Sequence, residues 1–250
     1  MRHSFQYAGE PGISSYRNQS ASIWLNWLQI GILVLLLEVA LWSRGTPQHL
    51  FSIAALIWVI ATSIFPKRNA THLGLTSIGF RKSVWVISAS AILAAAFVGI
   101  AWLSGSLHPA FGTRTHSYTY LAYAFWAVIQ QFLLQSYLFV RFESLLGNGR
   151  KAVLACAILF AIVHIPNPVL TVATFAGGLL FCEVFRRYRN IYAIGIAHAL
   201  LGIALAVSFP SALHHDMRVG IGFLHPPGST ASVSDIQQPG SRNPLVPESR

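Results

Sequence analysis

Residues 121–140, LAYAFWAVIQQFLLQSYLFV, form a nearly unbroken apolar run with three amides, Gln130, Gln131 and Gln135, set into it. A helix of about twenty apolar residues is long enough to cross the hydrocarbon core of a bilayer. A polar side chain at its centre is costly unless it faces other helices or a watery cavity. The stretch therefore reads as a membrane helix whose amides look inward.

The composition of the whole chain agrees with that reading. It is 54% hydrophobic and only 10% charged, against about 25% charged in ordinary soluble domains. Further apolar runs lie at 22–43, 50–65, 83–104, 151–165, 169–185 and 191–209, and the quoted stretch extends over 117–140. Hydrophobicity on all sides, with Pro and Gly gathered at the breaks, predicts helices rather than the alternating strands of a membrane barrel. The expected fold is all-α: a polytopic membrane helix bundle of about seven transmembrane helices over 21–209, without internal repeats. Residues 1–20 are polar, and the apolar run after them is too long for a signal-peptide core, which predicts an uncleaved first helix. From 210 to 250, Pro, Ser, Gly and His replace the apolar runs, which predicts a disordered tail.

The formal charge is +10, but the basic residues mark borders between spans instead of forming one patch, so no nucleic acid partner is expected. With seven spans one side receives Arg2, Arg17, Lys67, Arg68, Arg81, Lys82, Arg141, Arg150, Lys151, Arg186, Arg187 and Arg189. The other side receives Arg44, Arg114, Arg218, Arg242 and Arg250. The positive-inside rule places the first group, and the N-terminus, in the cytoplasm, and the expected location is a bacterial inner membrane. Cys156 and Cys182 fall inside spans and read as small buried residues without a disulfide.

Polar groups interrupt the apolar runs at two further places, FAIVHIPNP at 160–168, with His164, and IAHALLG at 196–202, with His198. Counting from basic border residues at about 1.5 Å per helical residue, Gln130 lies about 16 Å from Arg141, His164 about 20 Å from Lys151 and His198 about 14 Å from Arg189. In a core about 30 Å thick all three approach the midplane. Residues 151–165 end at Pro166, short of a full crossing, so the end of that helix needs shelter inside protein or beside a cavity. The glutamines and the two histidines are therefore expected to converge on one buried pocket.

The order of these elements resembles the CPBP family of CAAX proteases and bacteriocin-processing enzymes, also called Abi, which are intramembrane metalloproteases. Its motifs EExxxR, FxxxH and HxxxN lie on separate membrane helices. Here the first reads Gln130, Gln131, Phe132, Leu133, Leu134, Gln135, followed by SYLFVRFESLLG. The second is intact from Phe160 to His164, and the third keeps His198 but has Gly202 at its last position. LGLTSIGFRKSVW at 73–85 is similar to the segment before the family's core helices, so the likeness spans about 70–205. The resemblance implies a CPBP-like helical core, a membrane-embedded or prenylated-type peptide or protein as substrate or partner, and zinc or another divalent metal if the chain is active. It places Gln130, Gln131, Gln135, His164 and His198 at catalytic positions, with His164 and His198 as metal ligands.

Both carboxylates of the first motif are amides in this chain. An amide has no useful basicity near neutral pH and cannot serve as a general base, and two histidines fall short of the three protein ligands usual for catalytic zinc. Gln131 and Gln135, spaced i, i+4, are expected to bond each other where Glu and Arg would pair. The leading expectation is a pseudoprotease that binds a membrane peptide or partner without a cofactor. An active endopeptidase with a modified site and a small membrane transporter are the alternatives. Glu38, in the middle of the first span, is open between a helix-packing bond and a pocket role. Glu183 is expected to pair locally with Arg186 and Arg187, and LHHD at 213–216 lacks a scaffold for metal.

Overall fold

Three asparagines set the frame of the bundle. Asn148, Asn167 and Asn190 each stand just before a helix, where a short side-chain oxygen can satisfy one of the N–H groups left over in the first turn. In the computed structural model, which describes residues 13–64, 69–109 and 117–225, all three do so. Asn148 Oδ1 accepts from Arg150 N at 2.8 Å, Asn167 Oδ1 from Leu170 N at 3.0 Å and Asn190 Oδ1 from Ala193 N at 3.1 Å. They open α7 (Gly149–Ile162), α8 (Pro168–Tyr188) and α9 (Ile191–Ser208).

The earlier part of the bundle comprises α1 (Ile13–Leu41), α2 (Thr46–Ile64), a short α3 (Phe80–Ser83) and α4 (Trp85–Leu103). The amide-bearing rod runs without a break through α5 (Ser117–Gln131), a π-helical segment (Phe132–Phe139) and α6 (Val140–Leu146). Two short helices, α10 (Ser211–His214) and α11 (Ile221–Leu224), follow α9. The described residues contain no strand, and helical rods cover the seven expected spans. Four spans are long and apolar enough by themselves to cross a membrane: Ser22–Leu41, Phe80–Leu103, Pro168–Tyr188 and Ile191–Ser208. Large apolar side chains such as Trp24, Ile92, Trp102, Leu121, Phe125 and Val172 point outward, as a lipid-facing surface requires and a water-facing one resists.

Helix contacts run through small residues, the usual way for membrane helices to approach closely. Ser90, Ala94 and Ala101 are the buried face of α4, which lies on α9. At Gly178 of α8 an added β-carbon would fall 2.9 Å from Ala157 Cα, and at Gly195 of α9 one would fall 2.8 Å from Val128 Cγ2.

Residues 73–79 cross one end of the bundle. Asn190 Nδ2 donates to Thr76 O at 2.9 Å, Ser136 Oγ to Leu73 O at 2.6 Å and Ile191 N to Gly74 O at 3.1 Å. Glu143 accepts from Arg189 at the same end, and Glu183 pairs with Arg186 and Arg187 at 2.7 and 2.6 Å, the local pairing expected for it.

Arg141 is not the border residue that charge counting suggested. It is 1% exposed and spans three helices: Nε donates to Gln29 Oε1 at 2.9 Å, Nη1 to Tyr137 O at 3.0 Å and Nη2 to Thr62 O at 3.1 Å, with the guanidinium over the Tyr137 ring. The rod continues to Leu146, so the end of the bundle lies beyond Arg141 and the depth counted from it does not hold. The start of the expected disordered tail is also ordered: residues 211–225 fold across the end of α7. Asn167 Nδ2 donates to His214 O at 2.8 Å and to Arg218 O at 2.9 Å. His214 is buried, which pushes its imidazole below the ordinary pKa. Composition missed this order because the turn satisfies a buried asparagine and does not depend on a large apolar face. Residues 1–12, Lys67, Arg68, Arg114 and the tail from 226 lie outside the described residues.

Asn167→Ala removes the cap of α8 and strands two carbonyl groups, and is expected to lower the unfolding free energy by about 2–4 kcal/mol. Arg141→Ala, which unties α1 and α2, is expected to cost a similar amount. Arg187→Ala, whose side chain is 60% exposed, should cost less than about 1 kcal/mol. Thermal unfolding of the three variants in one detergent checks the ranking.

Candidate functional site

Gln131 is fully buried at the last α-helical position before the π-segment, and its Nε2 lies 2.6 Å from His198 Nδ1 on α9. With the amide N–H₂ toward the ring, Nδ1 accepts and the imidazole proton sits on Nε2. With the amide turned over, Nδ1–H donates to Oε1 and Nε2 keeps its lone pair. Either way Gln131 sets the orientation of His198. The ring is further held by Phe181, stacked at 5.9 Å, and by the edge of Phe160 at 6.0 Å.

His164 stands just past the end of α7. Its Nδ1–H donates to Phe160 O at 2.6 Å, leaving the Nε2 lone pair free of that bond, and Phe160 contacts its ring edge-on at 4.9 Å. Phe160 thus lies between the two histidines. The short fifth span ends in the shelter its length required, since His164 is followed by the buried Asn167 and the ordered 211–225 segment.

Gln130, His164 and His198 line one cavity of about 910 Å³, whose walls come from α1, α2, α4, α5, α7, α8 and α9 and are mostly aliphatic and aromatic. Gln131 lies behind this wall, joined to it through His198. Gln135 is also fully buried but turns away: its Nε2 donates to Cys182 Sγ at 3.8 Å on α8. The expected Gln131–Gln135 bond is therefore replaced by two separate ones. The physical reason is the wider π-turn over Phe132–Phe139, which breaks the i, i+4 stacking of an ordinary helix. The Oε1 atoms of both glutamines are buried without a hydrogen-bond partner.

Among the described residues no carboxylate lines the cavity. Glu143 and Glu183 are paired with arginines at the bundle end, and Asp216 lies 3.6 Å from Arg218. Glu38 accepts from Trp42 Nε1 at 3.1 Å, one turn on and just past the end of α1, and is not among the residues that line the cavity, so the bond seen is neither to another helix nor to the pocket. In the LHHD stretch, His214 instead bonds Phe209 O at 2.8 Å and stacks on His108. Among the described residues no three His, Cys, Asp or Glu side chains gather as a metal site. Two imidazoles beside neutral amides with stranded oxygens do not fit a catalytic zinc ion, which takes three ligands from His, Cys or carboxylate.

Four polar groups of the cavity escaped sequence reasoning: Gln48, Ser52, Tyr123 and Thr174. Tyr123, two helical turns before Gln130, lines the same wall, and its hydroxyl occupies the space where Gly202 lacks a side chain. Its i, i+7 relation to Gln130 was the available signal, but a tyrosine in an aromatic-rich span carries no mark of its own.

Residues 112–204 match a family model described as Type II CAAX prenyl endopeptidase Rce1-like. Comparison with curated proteins and with solved structures gives no significant match. The matched residues take in the amide-bearing rod, α7, α8 and most of α9, the elements that carry Gln130, Gln131, His164 and His198. Over those residues, fewer than half of its length, the chain is similar to that family of CAAX prenyl endopeptidases, and four of its helices are long and apolar enough to cross a membrane.

Proposed function

We propose that this chain binds an apolar, lipidated-type peptide segment in the membrane and holds it without hydrolysing it, as a pseudoprotease. The observation that carries this reading is the chemistry of the cavity wall. It is large and apolar, Gln130, His164 and His198 reach it, and among the described residues no carboxylate does. Peptide hydrolysis by a metalloprotease-type site needs a base to activate water and a metal to polarise the carbonyl. Amides supply neither, but they can hydrogen-bond a peptide. The Nε2 lone pair of His164 favours a second reading, an active endopeptidase with an imidazole base.

Support for the membrane orientation comes from the two ends of the bundle. Among the described residues, Arg81, Lys82, Arg150, Lys151, Arg186, Arg187 and Arg189 belong to the end crossed by residues 73–79. Arg44 and Arg218 belong to the other, where Arg44 Nη2 donates to Ile221 O. We therefore assign the first end to the cytoplasm of a bacterial inner membrane, with the N-terminus on the same side.

Purified wild-type protein is expected to bind a farnesylated C-terminal peptide saturably, to release no product from it and to carry zinc well below one ion per chain. Product that disappears in His164→Ala or His198→Ala would establish the imidazole-based enzyme instead. Gln131→Glu puts a buried carboxylate against His198 and should destabilise by about 2–4 kcal/mol, and Gln135→Arg, whose side chain starts toward Cys182 and not toward position 131, should not recover it; melting curves of the single and double variants decide this. For orientation, a cysteine at exposed Ser211 should react with an impermeant maleimide in spheroplasts and one at exposed Ser77 should not, the native cysteines being buried.

A further inference from the structure

Residues 209–219 close one end of the cavity, since Phe209, Met217 and Val219 stand in its wall. Their backbone is bent sharply to do so. His215, Asp216 and Met217 follow one another in the left-handed region, at φ of 44°, 54° and 63°, and none of them is glycine. L-residues resist that region because Cβ crowds the following carbonyl, and such strain lasts only where surrounding contacts impose it.

Contacts from two sides impose it here. Asn167 holds His214 O and Arg218 O, and the imidazole of His214, which is fully buried, ties the turn to itself. Its Nδ1 accepts from Met217 N at 3.1 Å and its Nε2–H donates to Phe209 O at 2.8 Å. A backbone N–H can only donate, so Nδ1 carries no proton and the partners fix the neutral Nε2–H form. A second proton would set Nδ1–H against Met217 N–H and place a cation in a buried site.

The titratable and charged groups around the ring are His108, Asp216 and Arg218. His108, from the segment after α4, stacks on it at 6.0 Å and is directed at the same Phe209 carbonyl. Asp216 and Arg218 lie on its own turn, 3.6 Å apart. α8 and the end of α9 meet it with Asn167 and Phe209, which do not titrate. His215 turns away to Phe223 O, and Arg44, from the α1–α2 loop, holds Ile221 O and His225 O farther along. Burial and His108 push the His214 imidazole below its ordinary pKa, against the Phe209 carbonyl and Asp216. The closed turn therefore binds the proton less tightly than an open one. Its closure is complete above the ordinary value of 6.5 and is lost as the pH falls below it.

We propose that residues 209–219 are an acid-released closure of the cavity: protonation of His214 detaches Met217, and the strained turn relaxes away from the wall. On the orientation assigned above this end meets the medium outside the cell, so external acid opens the chamber and neutral medium seals it. The closure does not depend on whether the ligand is a peptide.

Full-length protein in nanodiscs serves for the test, with hydrogen exchange read as protection relative to the intrinsic amide rate at each pH. Protection over 211–219 is expected to hold near pH 8 and to fall toward pH 5, by up to about tenfold per pH unit, the slope set by one proton. The fall should persist in His108→Gln and His215→Gln and vanish in His214→Gln, whose amide offers a donor and an acceptor without titrating. Met217→Gly, which relieves the left-handed strain, should move the midpoint to lower pH. Constant wild-type protection between those limits overturns the proposal, as does a fall that survives in His214→Gln or one abolished by His108→Gln or His215→Gln. If His214→Gln leaves the turn open at every pH, Met217→Gly decides, and an unmoved midpoint overturns it. The cavity is read with a cysteine at the buried, wall-lining Leu205 and a charged maleimide. The rate in the wild-type background, divided by that in His214→Gln at the same pH, should rise several-fold toward pH 5. A flat ratio while the turn opens overturns its role as a closure.

Discussion

The buried side chain of Asn167 is the joint on which the site depends. A helix that stops inside the membrane exposes backbone groups that lipid cannot satisfy. Asn167 closes that gap in two directions: its oxygen caps α8, and its nitrogen holds the carbonyls of His214 and Arg218 against the break. With the break closed, α7 can end at Ile162 and leave His164, two residues on, at the wall of an internal cavity, where a continuous helix would have carried the chain past it. The fold thus obtains an irregular segment inside the bundle by satisfying it from both sides.

The interior polar groups are arranged by charge. Several formal charges in the described residues are paired near the bundle ends, as in Glu143–Arg189 and Glu183–Arg186, or held by several acceptors, as Arg141 is by Gln29, Tyr137 and Thr62, whereas Glu38 accepts only from Trp42. Among the described residues the cavity wall itself carries amide, imidazole and hydroxyl groups and no carboxylate, lysine or arginine. That division follows the energetics of burial. A neutral amide left half satisfied costs roughly 1–3 kcal/mol, whereas an unpaired buried ion costs several. Gln131 and Gln135, each with one unpartnered oxygen, fall on the affordable side of that line. A chain that gives up a buried acid–base pair loses stability least by giving up both charges together.

Much of the fold was legible from apolar run lengths and from the positions of Asn, Pro and Gly. All seven expected spans coincide with helical rods, and the match of His164 and His198 to a common depth anticipated the cavity they share. The depth scale was nevertheless partly wrong, because Arg141 was counted as a border when it lies inside the bundle. One-dimensional charge counting cannot distinguish an arginine that reaches headgroups from one that reaches Gln29 and Thr62 on other helices. The ordered 211–225 segment was likewise invisible to composition, since its order comes from residues far away in the chain, Asn167 and Arg44.

The residue types of the site were in the sequence from the start: amides where acids were expected, two histidines, and a glycine at the end of the third motif. Their periodicity and depth determined that they face inward, because hydrocarbon excludes polar groups whatever the fold. Which of them touch was settled only by tertiary structure. A π-turn sends Gln131 to His198 and Gln135 to Cys182 instead of to each other, and the register of α5 against α9 puts the Tyr123 hydroxyl into the space at Gly202. Both outcomes depend on backbone geometry a few ångströms in scale and on helices far apart in sequence, where local propensity and hydrophobic pattern carry no information.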